Sequence, residues 1–328
     1  MAYSNTVSQT VFDTRRVIDN AVRRCKLQAA QITSEYIDIA NDQLYLLLGN
    51  LANQGVPLWC IEKLIVPLYS GNGVIDLPTR IVDILNSNLR YLLQVTGTDT
   101  DTSTTHTVAF GNDTFVTTVG VLWTQASVPI ALERSDDFIT WTTVQEETPE
   151  AVAGEWSWYD LDTSVATPYF RVRAVTGTLG FDQIYLGNTP TEIPLARLNR
   201  DDYTNLPKKS FQSNRPLQFW FNRSIPYPQM YLWPVPNDQA EVYQLTLWCH
   251  RYIMDVGTLT EQVEVPQRWY DALVSGLAAM LALELPDVDP GLIPILDAKA
   301  AQSLATAQAE ERDNSPIMWA PNISMYTR

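Results

Sequence analysis

Apolar positions recur at threes and fours near both ends of the chain, and at twos or in short runs through its middle. Val17, Ile18, Ala21, Val22 and Cys25 share one helical stripe. After a start at Thr33-Ser34-Glu35, so do Ile37, Ala40, Leu44, Leu47, Leu48 and Leu51. Gln54-Gly55 with Pro57 ends this second helix. Gly73 to Pro78 reads as a short strand, and Thr79 to Leu92 as a further helical run. Towards the C-terminus, Val242 to Trp248 alternates strictly, which predicts a half-buried strand. Pro266 stands where a first helical turn begins, Trp269, Leu273, Leu277, Met280 and Leu281 form one stripe, and Pro286 closes it. A last helix starts at Asp289-Pro290 and carries Leu296, Ala300, Leu304 and Ala307 on one side. Residues 313–328 keep no helical period, hold Trp319 and Tyr326, and read as an extended C-terminal arm.

The middle differs in composition as well as period. Across residues 95–190, Thr, Val, Ser and aromatics become dense while Leu and Ala thin out, as in a β domain. The Thr-rich stretch Thr96 to Thr105 opens the segment and reads as a flexible linker into that domain. Thirteen Asp and Glu stand there against three Arg, so −10 of the chain's net −15 sits in this segment. Such acidity disfavours a general nucleic-acid binder, whose affinity comes from cations that neutralise phosphates. Arg15, Arg16, Arg23, Arg24 and Lys26 gather on the first helix, where a solvated face is the preferred reading over a partner surface. A chain of 328 residues with 45% hydrophobic content has room for about two cored domains. Cys25, Cys60 and Cys249 lie far apart without a CxxC pair, which points to buried free thiols in a reducing compartment. Met1 to Asn5 shows no leader pattern, and the apolar run around Ala278 to Leu283 falls short of the roughly 20 residues a bilayer span needs.

Catalytic chemistry finds little to attach to. With only His106 and His250, a histidine base or metal site is poorly founded, and both positions suit structural roles. Carboxylates are plentiful, and a cell-wall glycosidase would use two of them across a sugar cleft. No motif assigns that pair, and no phosphate loop, dinucleotide fingerprint or nucleophile elbow is present. The expectation is a chain that is not an enzyme and has no cofactor and no metal.

Aromatics instead carry the information. From Tyr203 to Asn237, Trp, Tyr and Phe alternate with Pro, Asn and Arg in the manner of edge strands and ordered loops that bury against another chain. Trp220, Phe221, Tyr227, Tyr231 and Trp233, with Trp319 and Tyr326 in the arm, are the candidate subunit or partner contacts, the alternative for each being its own chain's core. The order of pieces, with Pro194 to Arg223, the turn Trp233-Pro234-Val235-Pro236-Asn237 and Val265 to Trp269, resembles the head-to-tail adaptor family of short-tailed bacteriophages over residues 8–94 and 191–315. That resemblance implies an α+β multidomain fold. A helical adaptor core, of long N- and C-terminal helices with a few short strands (1–94 and 191–312), is interrupted by an inserted all-β jelly-roll sandwich (95–190) and followed by the arm (313–328). It implies a homododecameric ring joining portal to tail nozzle in the virion neck, assembled in the host cytoplasm. A tail fibre or spike is a further partner, genomic DNA passes through the lumen without sequence-specific binding, and no membrane is involved.

The insert carries a resemblance of its own. Leu132 to Val144, Phe170 to Arg173 and Gln183 to Leu186 look like the strands and acidic turn of a discoidin-type, galactose-binding-like jelly roll. Members of that family often hold sugars at loops on one end, which makes Trp156, Trp158 and Tyr159 the candidate sugar-binding residues here. The alternative function is therefore a carbohydrate-binding adhesin. A decoration contacting capsid, fibre or a neighbouring subunit is the plainer role for the insert.

Overall fold

In the computed structural model, which describes residues 13–27, 33–53, 58–161, 165–240, 243–254 and 258–310, the helical run expected from Thr79 to Leu92 is a strand. In chain order, α1 (Thr14–Arg24) and α2 (Ser34–Asn53) precede β1 (Ile61–Pro67), β2 (Val74–Asp76) and β3 (Ile81–Gln94). Then come β4 (Thr98–Asp101), β5 (Thr105–Thr114), β6 (Thr118–Trp123), β7 (Ile130–Ser135), β8 (Thr142–Glu147), β9 (Trp156–Asp160), β10 (Thr167–Ala174) and β11 (Phe181–Pro194). β12 (Ala196–Leu198), α3 (Arg200–Thr204), β13 (Gln212–Ser213), β14 (Gln218–Asn222), β15 (Gln229–Trp233), β16 (Val235–Pro236) and β17 (Gln244–Arg251) follow. The last elements described are α4 (Tyr270–Glu284) and α5 (Ile293–Glu310).

Two compact units result, Met1–Ile61 with Tyr252–Arg328, and Glu62–Arg251. The first is helical. Asp13 caps α1 by accepting the Arg16 N–H at 2.9 Å, and the α1 stripe Val17, Ile18, Ala21, Val22 and Cys25 is buried as its spacing predicts. It shares one core with Leu44 and Leu48 of α2 and with Leu273, Leu277 and Leu281 of α4. Each such leucine, fully buried, contributes about 2 kcal/mol of transfer free energy. Trp59 meets Trp269 edge to face at 5.0 Å in the same core.

The second unit is built from strands, with the one-turn α3 as its helix among the described residues. A six-stranded sheet runs β1-β17-β3-β11-β6-β9, beside a five-stranded sheet β4-β5-β10-β7-β8 and a four-stranded sheet β12-β14-β15-β2. The eight strands β4 to β11 pass back and forth between the first two sheets, a sandwich of jelly-roll type. Val119, Val121 and Trp123 of β6 meet Ile130, Leu132, Phe170 and Val172 across its core. A second core lies where Ile84, Leu89, Leu245 and Leu247 of the six-stranded sheet meet Phe219, Phe221, Met230 and Leu232 of the four-stranded sheet.

The two outer strands of the six-stranded sheet also approach each other. Lys63 of β1 and Asp160 of β9 form an ion pair, while Ile65 and Tyr69 pack against Trp156 and Trp158. The sheet therefore curls towards closure, which shields edges that would otherwise offer unpaired backbone.

These strands correct the expected fold class. The stretches assigned to a helical adaptor core between residues 62 and 94 and between 191 and 251 are mainly β, and the α-helices other than α3 belong to the first unit. Thr79 to Leu92 was open to a helical reading because Ile81, Ile84, Leu89 and Leu92 mix odd and even offsets. The physical reason is bulging. Register shifts at Trp248/Cys249 and His250/Arg251 each leave an extra β3 residue in the ladder and break the period of two, and Leu92 turns to the opposite face. The expected linker at Thr96 to Thr105 is likewise structured, with β4 paired to β5 from Thr98↔Ala109 to Asp101↔His106. The insert is not a bead on a string. β11 pairs with β6 through its first half and with β3 through its second, so one strand ties the sandwich to β3, whose Ile84 and Leu89 line the second core, and the compact division falls at 61/62 and 251/252. The arm at 313–328 lies outside the described residues.

Candidate binding surface

Alternation along β14 and β15 sorts the expected interface aromatics onto opposite faces. Phe221, paired with Met230, points into the core and is buried, so it is not available to a partner. Trp220 and Tyr231 pair across the strands on the other face, their rings 4.8 Å apart, and Trp233 lies farther along. Tyr203 of α3 stacks on Trp220 at 5.2 Å and tilts over Tyr231 at 5.4 Å. The Trp233 indole N–H donates to the Lys208 carbonyl at 3.0 Å, and Phe211 leans on the same ring. The segment from Asn199 to Gln212 thus lies over this sheet face, and three of the candidates spend much of their surface holding it. Tyr227 stays 54% exposed in the β14–β15 turn beside Ile225. Trp319 and Tyr326 lie outside the described residues.

The sugar-binding candidates go inside. Trp156 and Trp158 stack at 5.0 Å with an interplanar angle of 18°, and Trp158 meets Tyr185 edge to face. They are only 9% and 8% exposed. Trp158 lies so close over Gly120 that a Cβ there would come within 2.5 Å of the ring. Tyr159 turns to the opposite face, against the sandwich core, and burial pushes its hydroxyl pKa up to about 12. The structure therefore does not bring the three together on a surface.

A different aromatic group is exposed at one end of the sandwich, on the β7–β8 turn. Asp137 organises this turn. Its carboxylate accepts the Ile139 and Thr140 N–H groups at 2.9 and 2.7 Å and the Ser135 and Thr140 hydroxyls at 3.0 Å. The two backbone donors are the main reason its pKa falls to about 2. Locked between them, Phe138 adopts φ 64°, the left-handed region that bulky side chains avoid, and remains 50% exposed. Its ring meets Trp141 at 5.9 Å and Tyr169 of β10 at 5.2 Å, both edge to face. The Arg171 guanidinium lies 4.0 Å over the Trp141 ring.

Arg171 is itself fixed from below. Glu133, buried and opposite Arg171 in the β7–β10 register, pairs with Arg171 and with Arg173 at 2.9 Å, and accepts the Thr143 hydroxyl at 3.3 Å. Burial pulls the Glu133 pKa up, but the hydrogen bonds and charges of the two arginines outweigh it and leave the carboxyl below its usual range. The result is a rigid half-exposed cluster of Phe138, Trp141 and Tyr169 with a guanidinium, a carboxylate and a hydroxyl beside it. None of these three residues is among the sugar-binding candidates Trp156, Trp158 and Tyr159. The signal that could have found the cluster is Phe138-Ile139, two large apolar residues at the tip of an otherwise polar turn, the latter 84% exposed.

Asp83, Glu133, Asp137, Asp160 and Asp271 all titrate below the ordinary carboxylate range, each held by cations or donors, whereas a glycosidase acid needs a raised value. His106 Nδ1 lies 2.6 Å from Asp101, and burial lowers the His250 pKa. Among the described residues no group of three or more His, Cys, Asp or Glu is placed to hold a metal.

No family model matches the chain, and no curated protein matches it. Among solved structures it is similar to CBM32-1 from a family 31 glycoside hydrolase of Clostridium perfringens, at 13% identity and TM-score 0.24, covering 40% of this chain and 96% of that one. The family 32 module of C. perfringens NanJ, solved with galactose, gives 10% identity and TM-score 0.23 over 40% and 97%. A chitobiase fragment from Bacteroides thetaiotaomicron gives 13% and 0.23, and this chain, through 26% of its own residues, spans 62% of the fragment's length. Scores this low carry no argument, and the sandwich rests on its own strands. Nothing in these matches supports the head-to-tail adaptor resemblance.

Proposed function

We propose that this chain works by binding carbohydrate, without a catalytic step of its own, and that the Phe138–Trp141–Tyr169 cluster is the platform. The observation that carries the proposal is Phe138. A left-handed backbone costs an ordinary residue roughly 1–2 kcal/mol, and here it displays an apolar ring to water. The strain opposes folding and half of the ring stays in water, so the position suits a role beyond stability. Pyranose rings present C–H faces that stack on aromatic surfaces and hydroxyls that require nearby donors and acceptors. Phe138 and Trp141 offer the first, and Arg171 and Thr143, both held by the buried Glu133, lie beside them for the second. The −10 charge of residues 95–190 favours neutral sugars over acidic ones.

The test is titration calorimetry of the intact chain against neutral hexopyranoses such as galactose and N-acetylglucosamine. Phe138→Ala is expected to weaken binding by about tenfold or more, the loss typical of a central aromatic contact. Unchanged affinity in that variant, or no saturable binding to any neutral pyranose, overturns the proposal.

A further inference from the structure

Asn72-Gly73, in the turn from β1 to β2, is the one Asn-Gly pair in the chain. A carboxamide side chain can be attacked by the backbone nitrogen of the next residue, and glycine, which has no Cβ, hinders that approach least. The turn favours the same approach. Asn72 is exposed, and its Oδ1 accepts the Val74 N–H at 3.2 Å, which folds the carboxamide back along the Gly73 peptide. The Gly73 N–H has no hydrogen-bond acceptor among the described residues, so no bond has to break before its nitrogen reacts. Asn86, followed by the small Ser87, is placed differently: it lies within β3 opposite Trp248, where the ladder fixes the backbone.

The turn is tied down on both sides of Asn72. The Gly71 N–H donates to the Pro236 carbonyl at 2.9 Å, and the Gly73 carbonyl accepts the Leu232 N–H at 2.8 Å. Gly73 also packs so tightly that a Cβ there would come within 2.8 Å of the Val235 side chain. A longer main chain between residues 71 and 73 therefore releases one of these ties, and β2 is only three residues long.

We propose that Asn72 is a site of spontaneous modification, deamidating in the folded protein, and that its iso-aspartyl product loosens β2 from β15. The Gly73 nitrogen bonds to Asn72 Cγ, and the side-chain nitrogen leaves as ammonia, taking the Gly73 proton with it, to give a cyclic imide. Water then opens the ring. Cleavage between Cγ and the nitrogen gives aspartate, whereas cleavage between the Asn72 backbone carbonyl and the nitrogen gives iso-aspartate, whose main chain runs through Cβ and Cγ and is one carbon longer. The inference is independent of the carbohydrate reading, which concerns the β7–β8 turn.

Peptide mapping by mass spectrometry of the intact, folded chain held in mildly alkaline buffer tests the site. Asn72 is expected to convert at least about tenfold faster than Asn86 or Asn112, with iso-aspartate among the products. Mildly acidic buffer is expected to slow the conversion, because the attacking nitrogen has to lose its proton. Thermal melts of the same samples test the consequence. The aged chain is expected to gain a lower-melting fraction that grows with the iso-aspartate, while Asn72→Gln, which would have to close a larger ring, keeps its mass and its melt. Conversion at Asn72 no faster than at Asn86, or conversion only once urea is added, overturns the site. An aged chain that carries iso-aspartate yet melts like fresh protein, or an equal loss in aged Asn72→Gln, overturns the loosening of β2.

Discussion

Phe138 separates the demands of folding from those of binding within one residue. Glycine adopts φ 64° without the Cβ clash but gives up the ring contacts with Trp141 and Tyr169, so Phe138→Gly is expected to change stability by less than about 1 kcal/mol while removing the platform. Chemical denaturation read by circular dichroism, set beside sugar titration, checks both effects at once, and a larger loss of stability would show that the ring is structural. Glu133 behaves differently. It is buried beneath two arginines, and Glu133→Gln removes the charge that satisfies them, so a loss of about 2 kcal/mol is expected. The pH dependence has a definite sign. Asp83, Glu133 and Asp160 bind protons less tightly folded than unfolded, so their contribution is complete above the ordinary carboxylate values near 4 and is lost as pH falls through their lower folded values. Melting temperature is therefore expected to hold from about pH 7 to 5 and to drop below about pH 4. In Glu133→Gln it should start lower and drop less.

Among the elements, sequence was legible where one period held and illegible where two packings shared one strand. The stripe of α1 emerges as its spacing implies, because it buries one continuous face. α4 instead buries nearly all of itself, and β17, expected to be half-buried from its alternation, is enclosed on both faces, with Gln244 and Thr246 as buried as Leu245 and Leu247. β3 defeats the same logic. Its Ile84 and Leu89 enter one core and Leu92 another, and two bulges against β17 reset which face is which. The Thr-rich stretch before β5 was unreadable for a related reason: Thr98 to Asp101 is an exposed edge strand, whose order comes from its neighbour rather than from its own side chains. For the candidate site, local composition identified aromatics but not their side. Trp156 and Trp158 face inward because Gly120 on the adjacent strand leaves room for a ring, a pairing that no local pattern shows. Gly120→Ala is accordingly expected to destabilise by about 1–3 kcal/mol through overpacking, measurable as a shifted urea midpoint. An unchanged midpoint would mean that the ring moves aside without cost.

At the scale of the whole molecule, the question is which stretch of chain can fold without the rest. Composition suggested that residues 95–190 are a removable module, but the strands join it to its surroundings: β11 pairs with β6 inside that stretch and with β3 outside it. Removing the stretch would delete β6, β9 and the first half of β11, and with them Trp156, Trp158 and Tyr185, the rings that cover Leu92, Ile65 and Tyr69. It would also leave Arg90 and Lys63 without Asp160, their shared carboxylate. The unit Glu62–Arg251, by contrast, is continuous in sequence and contains the three larger sheets, the two-stranded sheet β13-β16 and both of its larger cores. Expressed alone, it is expected to be soluble and monodisperse by gel filtration, with a β-type circular dichroism spectrum and one cooperative melt. The chain lacking residues 95–190 is expected to expose apolar strand edges and aggregate. The reverse outcome, a cooperative deletion variant and an unfolded 62–251 fragment, would show that the two cores do not depend on the strands they share.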